Sequence, residues 1–198
     1  MNKSGKILGA AVLAAGVMLS GLGPARADDV GDGIAKAGEL YGAGDLGGAL
    51  QELAFATAEI QAKLSAAYGE TMPDAPEGWS ADEPESQSMM GMGQNVTRDY
   101  TAPDGNSVRL TLSVDSPLMQ SMGMLFGNPM MAAQAGYKRM RVSGMDAMVK
   151  DDGGSVQIMM AIGGRMLLNA ESSSVPADQV KALFSAWKID ELKKLAGM

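Results

Sequence analysis

The chain has 198 residues, with 16 Lys and Arg, 23 Asp and Glu, and neither His nor Cys. Those absences exclude disulfides, thiolate nucleophiles, Cys-based zinc or iron–sulfur centres, His-dependent catalytic triads and a His-ligated haem. With 46% apolar and 20% charged residues, the composition is that of a chain able to bury a core.

Residues 1–27 read as a secretory signal peptide. Lys3 and Lys6 precede an apolar stretch from Ile7 to Leu19, and Ala25-Arg26-Ala27 supplies the small residues of a cleavage site. Cleavage after Ala27 predicts a periplasmic protein that begins at Asp28. The apolar run is shorter than a membrane span needs, no later segment approaches one, and no Cys follows to carry a lipid. Losing Lys3, Lys6 and Arg26 leaves 13 bases against 23 acids, a net charge of −10. Such a balance argues against nucleic acid as a partner and against bulk attraction to anionic lipid.

The mature chain divides into a helical hairpin (28–71) and an α+β sheet domain (72–198), expected to form one compact unit. Residues 33–42 predict a short helix, and Gly42-Ala43-Gly44-Asp45 predicts a break. A long helix follows from Leu46 to Tyr68, with Asp45 as its N-cap. Its apolar residues Leu46, Leu50, Leu53, Ile60 and Leu64 recur at helical spacing, with Thr57 in the remaining slot, and predict one buried stripe. The run Leu40 to Leu50 resembles the turn of a tetratricopeptide repeat. Such repeats need stacked copies and no second one follows, so the expectation is an αα-hairpin laid across a sheet.

Residues 69–95, punctuated by Gly and Pro, predict a turn-rich connection. Val96 to Thr101 then predicts a strand, Pro103-Asp104-Gly105-Asn106 a turn, and Val108, Leu110, Leu112 and Val114 a second, half-buried strand. Ser116 and Pro117 predict a helix start, and Gly127-Asn128-Pro129 its end. Projected at ~100° per residue, Met119, Met122, Leu125 and Phe126 share one face and are expected in the core, whereas Met124 is expected in solvent. Strands are predicted at 138–142, 146–150, 155–162 and 165–170, joined by Asp151-Asp152-Gly153-Gly154 and Gly163-Gly164. A last helix from about Pro176 is expected to bury Val180, Leu183, Phe184, Trp187, Ile189, Leu192 and Leu195. The fold class is therefore α+β: an N-terminal helical hairpin, then an antiparallel sheet of about six strands (ββαββββα) packed with helices.

This element order, with the segment Met-Pro-…-Pro-Glu-Gly-Trp-Ser at 72–80, resembles the Mog1/PsbP-like fold of secreted bacterial proteins of the LpqN and DcrB type. The resemblance covers about residues 72–195. It implies a binding or assembly role with no shared catalytic set, so it brings no site residue to this chain. The helical N-terminal third and the missing lipidated Cys depart from those proteins.

No catalytic residue is singled out. The acidic doublets Asp28-Asp29, Asp82-Glu83 and Asp151-Asp152 read as solvated terminus, loop and turn acids, and no phosphate-binding glycine motif or calcium loop occurs. Lys138-Arg139-Arg141 is a basic cluster in an acidic chain, read as the solvated face of a strand. Methionine is the oddity, with 16 of 18 in the mature chain. Three functions fit these residues. The first is a non-catalytic module that binds a protein or envelope partner, or a small apolar ligand, on the open sheet face or in a helix–sheet groove, with no cofactor. The second is a Cu(I)-binding protein, for which Met89, Met90, Met92, Met124 and Met159 are the candidate thioether ligands, with Met89, Met124 and Met159 expected to be exposed. The third is an enzyme working through carboxylates or Lys.

Overall fold

The structure, a computed structural model, describes residues 29–88 and 93–198. The expected signal peptide (1–27), Asp28, Met89, Met90 and Met92 lie outside the described residues. Two compact units divide within one long helix, the first ending at Ala56 and the second running Thr57–Met198.

The first unit holds α1 (Asp29–Gly42) and the start of α2 (Leu46–Glu70). Gly44 adopts φ +84°, a left-handed conformation that an L side chain rarely takes, and this closes α1. Asp45 then caps α2, its carboxylate accepting from Gly48 N–H at 2.9 Å. The buried residues of this unit are Val30, Gly33 and Ala37 on α1 and Ala49 and Ala56 on α2, mostly small. A Cβ added to Gly33 would stand 3.5 Å from the Ala56 Cβ, so the backbones run close. The expectation of a buried leucine stripe fails here. Leu46, Leu50, Leu53 and Ile60 are exposed, and only Leu64 is partly buried. Periodicity identified the stripe, but α1 covers the neighbouring, alanine-bearing face, where helices approach more closely.

The second unit is one antiparallel sheet with helices. Its strands are β1 (Ser80–Ala81), β2 (Glu85–Ser88), β3 (Gln94–Thr101), β4 (Ser107–Val114), β5 (Lys138–Val142), β6 (Met145–Asp151), β7 (Val156–Ile162) and β8 (Met166–Ser172). Their order is β1-β3-β4-β8-β7-β6-β5, with β2 also pairing with β3. The sheet thus exceeds the expected six strands by two short ones, β1 and β2, formed inside the turn-rich connection. Along β4, Val108, Leu110 and Leu112 are fully buried, as the alternation predicts.

The inner face joins Tyr100, Leu110, Leu112, Ile158, Met160 and Leu168 to helical residues in one core. Those helical residues come from the end of α2 and from α5 (Ala177–Ser185) and α6 (Ile189–Leu195). The last helix is therefore two, broken at Ala186–Lys188. Phe184 meets Trp187 edge-on at 5.8 Å, and the Trp187 indole donates to Thr71 Oγ1 at 3.2 Å. Leu195, expected inside, is exposed.

Between β4 and β5 lie α3 (Leu118–Gly127) and α4 (Pro129–Gln134). Pro117 rather than Ser116 holds the N-cap position of α3, one residue later than expected. Asn128 ends α3 and opens α4, its side-chain oxygen accepting from Met130 and Met131 N–H. Met119, Met122, Leu125 and Phe126 are half-buried rather than core, because α3 faces the outer side of the sheet instead of its main core.

Candidate functional site

The outer face of the sheet divides into a polar half and an apolar half. Register aligns Asp99, Arg109, Glu171, Gln157 and Lys150 in one cross-strand row over β3, β4, β8, β7 and β6. Arg109 donates to both Asp99 oxygens at 2.8 Å, and Gln157 donates to Glu171 at 2.8 Å. The Arg109 guanidinium holds the Asp99 carboxyl below the usual carboxylate range, through the hydrogen bond first and charge second. An open basin of about 790 Å³ lies over this row, lined by these side chains and by Asp82 and Asp152. Asp82 and Asp152, singled out as turn and loop acids, come to one surface here. They remain part of a wide solvated basin rather than an enclosed acid pair.

The adjacent row is different in chemistry. It runs Thr97, Thr111, Asn169, Met159, Met148 and Arg139 across β3, β4, β8, β7, β6 and β5. Met148 and Met159 are direct cross-strand partners, 6% and 4% exposed. Met159, expected in solvent, is therefore buried. It does point away from the main core, but Met148 and Leu167 make this part of the outer face apolar too. Met124 is 67% exposed on α3, as expected. The two described candidates for thioether ligation thus occupy unlike settings, one on the solvent side of a helix and one buried on a strand. Asn169, next to Met159 in the row, has its side-chain oxygen shielded from solvent with no donor among the described residues.

At the β5–β6 end of this face a cavity of about 420 Å³ opens beneath α3 and α4. Its apolar wall comes from Leu125, Phe126, Pro129, Ala132, Ala133 and Met148. Lys138, Arg139 and Asp146 line it as well. Such a volume and lining fall in the range of small-molecule sites. Arg139 and Arg141 both lie near Asp146, at 3.8 and 3.5 Å, which leaves the three bases of edge strand β5 in excess over that one acid. In a chain with net charge −7 this is a local reversal of sign. Tyr137 also lines the cavity, and its hydroxyl hydrogen-bonds the Gln157 side chain, joining the groove to the polar basin. Burial pushes the Tyr137 hydroxyl's pKa up, which keeps it a neutral donor.

The basic cluster Lys138-Arg139-Arg141 was legible in the sequence, but its position at the mouth of an apolar groove was not. The missed signal was the alignment of Met148, Met159 and Leu167 on one side of three strands, an apolar patch on a face that is otherwise polar. Among the described residues no cluster of acids could hold a metal ion, and no helix is long and apolar enough to cross a membrane. No protein-family model, curated protein or solved structure matches the chain.

Proposed function

We propose that this is a non-catalytic periplasmic binding module that holds a small amphipathic ligand in the groove under α3 and α4. The supporting observation is the cavity itself: an apolar wall of Leu125, Phe126, Ala132 and Met148 beside an edge strand rich in bases. Apolar wall atoms would take a hydrocarbon portion, and Lys138 and Arg139 an anionic end. Met148 and the half-buried α3 residues supply adaptable packing, which suits ligands that vary in shape. The signal-peptide pattern read at residues 1–27 supports delivery to the periplasm, and the resemblance to the Mog1/PsbP-like fold is in keeping with a binding role.

Titration with a dansylated medium-chain fatty acid tests this reading. The probe should bind the protein saturably with enhanced fluorescence. Ala133→Trp, which narrows the groove from an exposed position, should weaken binding at least about tenfold, and Arg139→Glu should weaken it for the fatty acid but not for its uncharged amide. Failure to bind, or binding indifferent to Ala133→Trp, would overturn the assignment.

A further inference from the structure

The hairpin carries a second surface, independent of the groove. Ile34 and Tyr41 on α1 and Leu46, Leu50 and Leu53 on α2 are between 46 and 70% exposed. At ~100° per residue, Leu46, Leu50, Leu53, Thr57 and Ile60 fall within an arc of about 80° on α2. Ile34 and Tyr41 fall together on α1, on the same side of an antiparallel hairpin as the leucines, once Val30, Gly33 and Ala37 are placed against Ala49 and Ala56. Spacing along each helix is that of a helix–helix seam: Gly31, Ile34, Gly38, Tyr41 on α1, and Leu46, Leu50, Leu53, Thr57, Ile60 on α2, steps of three and four throughout. A seam of this kind is completed by other helices, and among the described residues of its unit α1 meets α2 on the neighbouring face.

Charge selects the occupant. Between Asp29 and Ala56 there are five acids (Asp29, Asp32, Glu39, Asp45, Glu52) and one base, Lys36. All six project away from the apolar seam, so two acidic hairpins can meet on that face without opposing carboxylates. An interfacial lipid-binding helix has the opposite design, with a broad apolar arc and Lys or Arg beside it. Gly31 and Gly38 have open space where a Cβ would stand, so a facing helix can approach α1 closely. Taking roughly 150 Å² for a fully exposed large side chain, the five residues leave about 440 Å² uncovered per copy. Two copies together would cover roughly 900 Å², just under the ~1,000 Å² of a stable specific interface and within the range of a weak, transient one.

We infer that the hairpin is a self-association element: two copies of the chain pack seam to seam and build a four-helix bundle about a two-fold axis. The area sits at the low end for specific interfaces, so the dimer is in concentration-dependent equilibrium with monomer.

Sedimentation equilibrium on the protein as its host processes it tests this. The parent should show a monomer–dimer equilibrium in the micromolar range. Leu50→Glu should raise the dissociation constant at least tenfold while leaving the helical circular dichroism and the melting temperature of dilute protein unchanged, since Leu50 is 69% exposed. Leu46→Ser with Leu50→Ser, which adds no charge, should weaken the dimer in the same direction if the glutamate variant loses helix. A parent that stays monomeric at several hundred micromolar would overturn the inference. So would a dimer that both variants leave intact, which would place the interface elsewhere. Binding of the monomer to phosphatidylglycerol vesicles, abolished by Leu50→Glu, would assign the seam to lipid and overturn it equally. None of these results touches the fatty-acid titration, so the two proposals fail separately.

Discussion

Leu110 and Leu112 stand on β4 with Thr111 between them, and three neighbours in sequence meet two different environments. The leucines are fully buried in the inner core, while Thr111 lies half-buried on the outer face opposite Thr97 and Asn169. Leu110→Ala and Leu112→Ala should each cost roughly 2–5 kcal/mol, the sum of lost transfer energy and residual cavity. Thr111→Ala removes one methyl and one hydroxyl from a partly solvated row and should cost well under about 1 kcal/mol. Urea melts with a common slope check the ranking; a Thr111 cost equal to that of either leucine would mean that the outer row is structural. The strand was legible residue by residue because alternation is a property of the chain itself. Met159 was legible only by half. Its direction follows from the same alternation, but its burial depends on Met148 and Leu167 arriving from β6 and β8, which no local pattern reports.

Elements show the same division. The signals that closed and opened helices worked where side chains bond locally: Asp45 caps α2 as expected, through Gly48 N–H. Asn128-Pro129 ends one helix, as the sequence predicts, and also begins another, since Pro129 occupies the first turn of α4 where its missing N–H costs nothing. The α2 stripe misled for a tertiary reason. Helical period fixes which residues share a face, not which face a partner covers, and α1 took the alanine side. Asn128→Ala tests how far α4 depends on its cap. Two amides, Met130 and Met131, lose their acceptor, a loss of about 1 kcal/mol for a helix end. With six residues α4 has little else to hold it, so the effect should be local fraying. Hydrogen exchange should accelerate about fivefold at Met131–Gln134 while the β7–β8 amides keep their protection. Equal acceleration in both regions would show that α4 opens only with the whole unit. If α4 frays as predicted, probe affinity for the groove should fall with it, because Pro129, Ala132 and Ala133 form part of its wall.

At the scale of the whole molecule the absence of His sets the response to pH. No side chain has an unperturbed pKa between about 5 and 8. The groups held away from their ordinary values titrate at the two extremes. Asp99 and Asp115 are lowered, chiefly by side-chain hydrogen bonds from Arg109 and Arg165, the latter pair at 2.6 and 2.8 Å. A lowered carboxyl binds protons less readily in the folded state, so its contribution is present above the unfolded value near 4 and disappears as pH falls through the folded one. Both pairs are substantially exposed, and screening keeps that acid limb shallow. Tyrosine acts in the opposite direction. Burial raises Tyr100 to about 12 and also raises Tyr68 and Tyr137. A raised phenol keeps its proton longer in the folded state, so stability is intact below the unfolded value near 10 and falls as pH climbs from there towards 12. The melting temperature should therefore be flat from about pH 5 to 9, decline gently below 4, and decline steeply above 10. Tyr100→Phe isolates the main alkaline contribution. Its hydroxyl donates to Pro73 O at 2.7 Å, but Arg98 also donates to that oxygen at 3.1 Å, so the carbonyl keeps a partner and the neutral-pH cost should be only about 1 kcal/mol. The variant's melting temperature should fall less than the parent's between pH 10 and 12, and the two curves should converge. Parallel alkaline limbs would show that Tyr100 is not the group whose ionisation unfolds the protein.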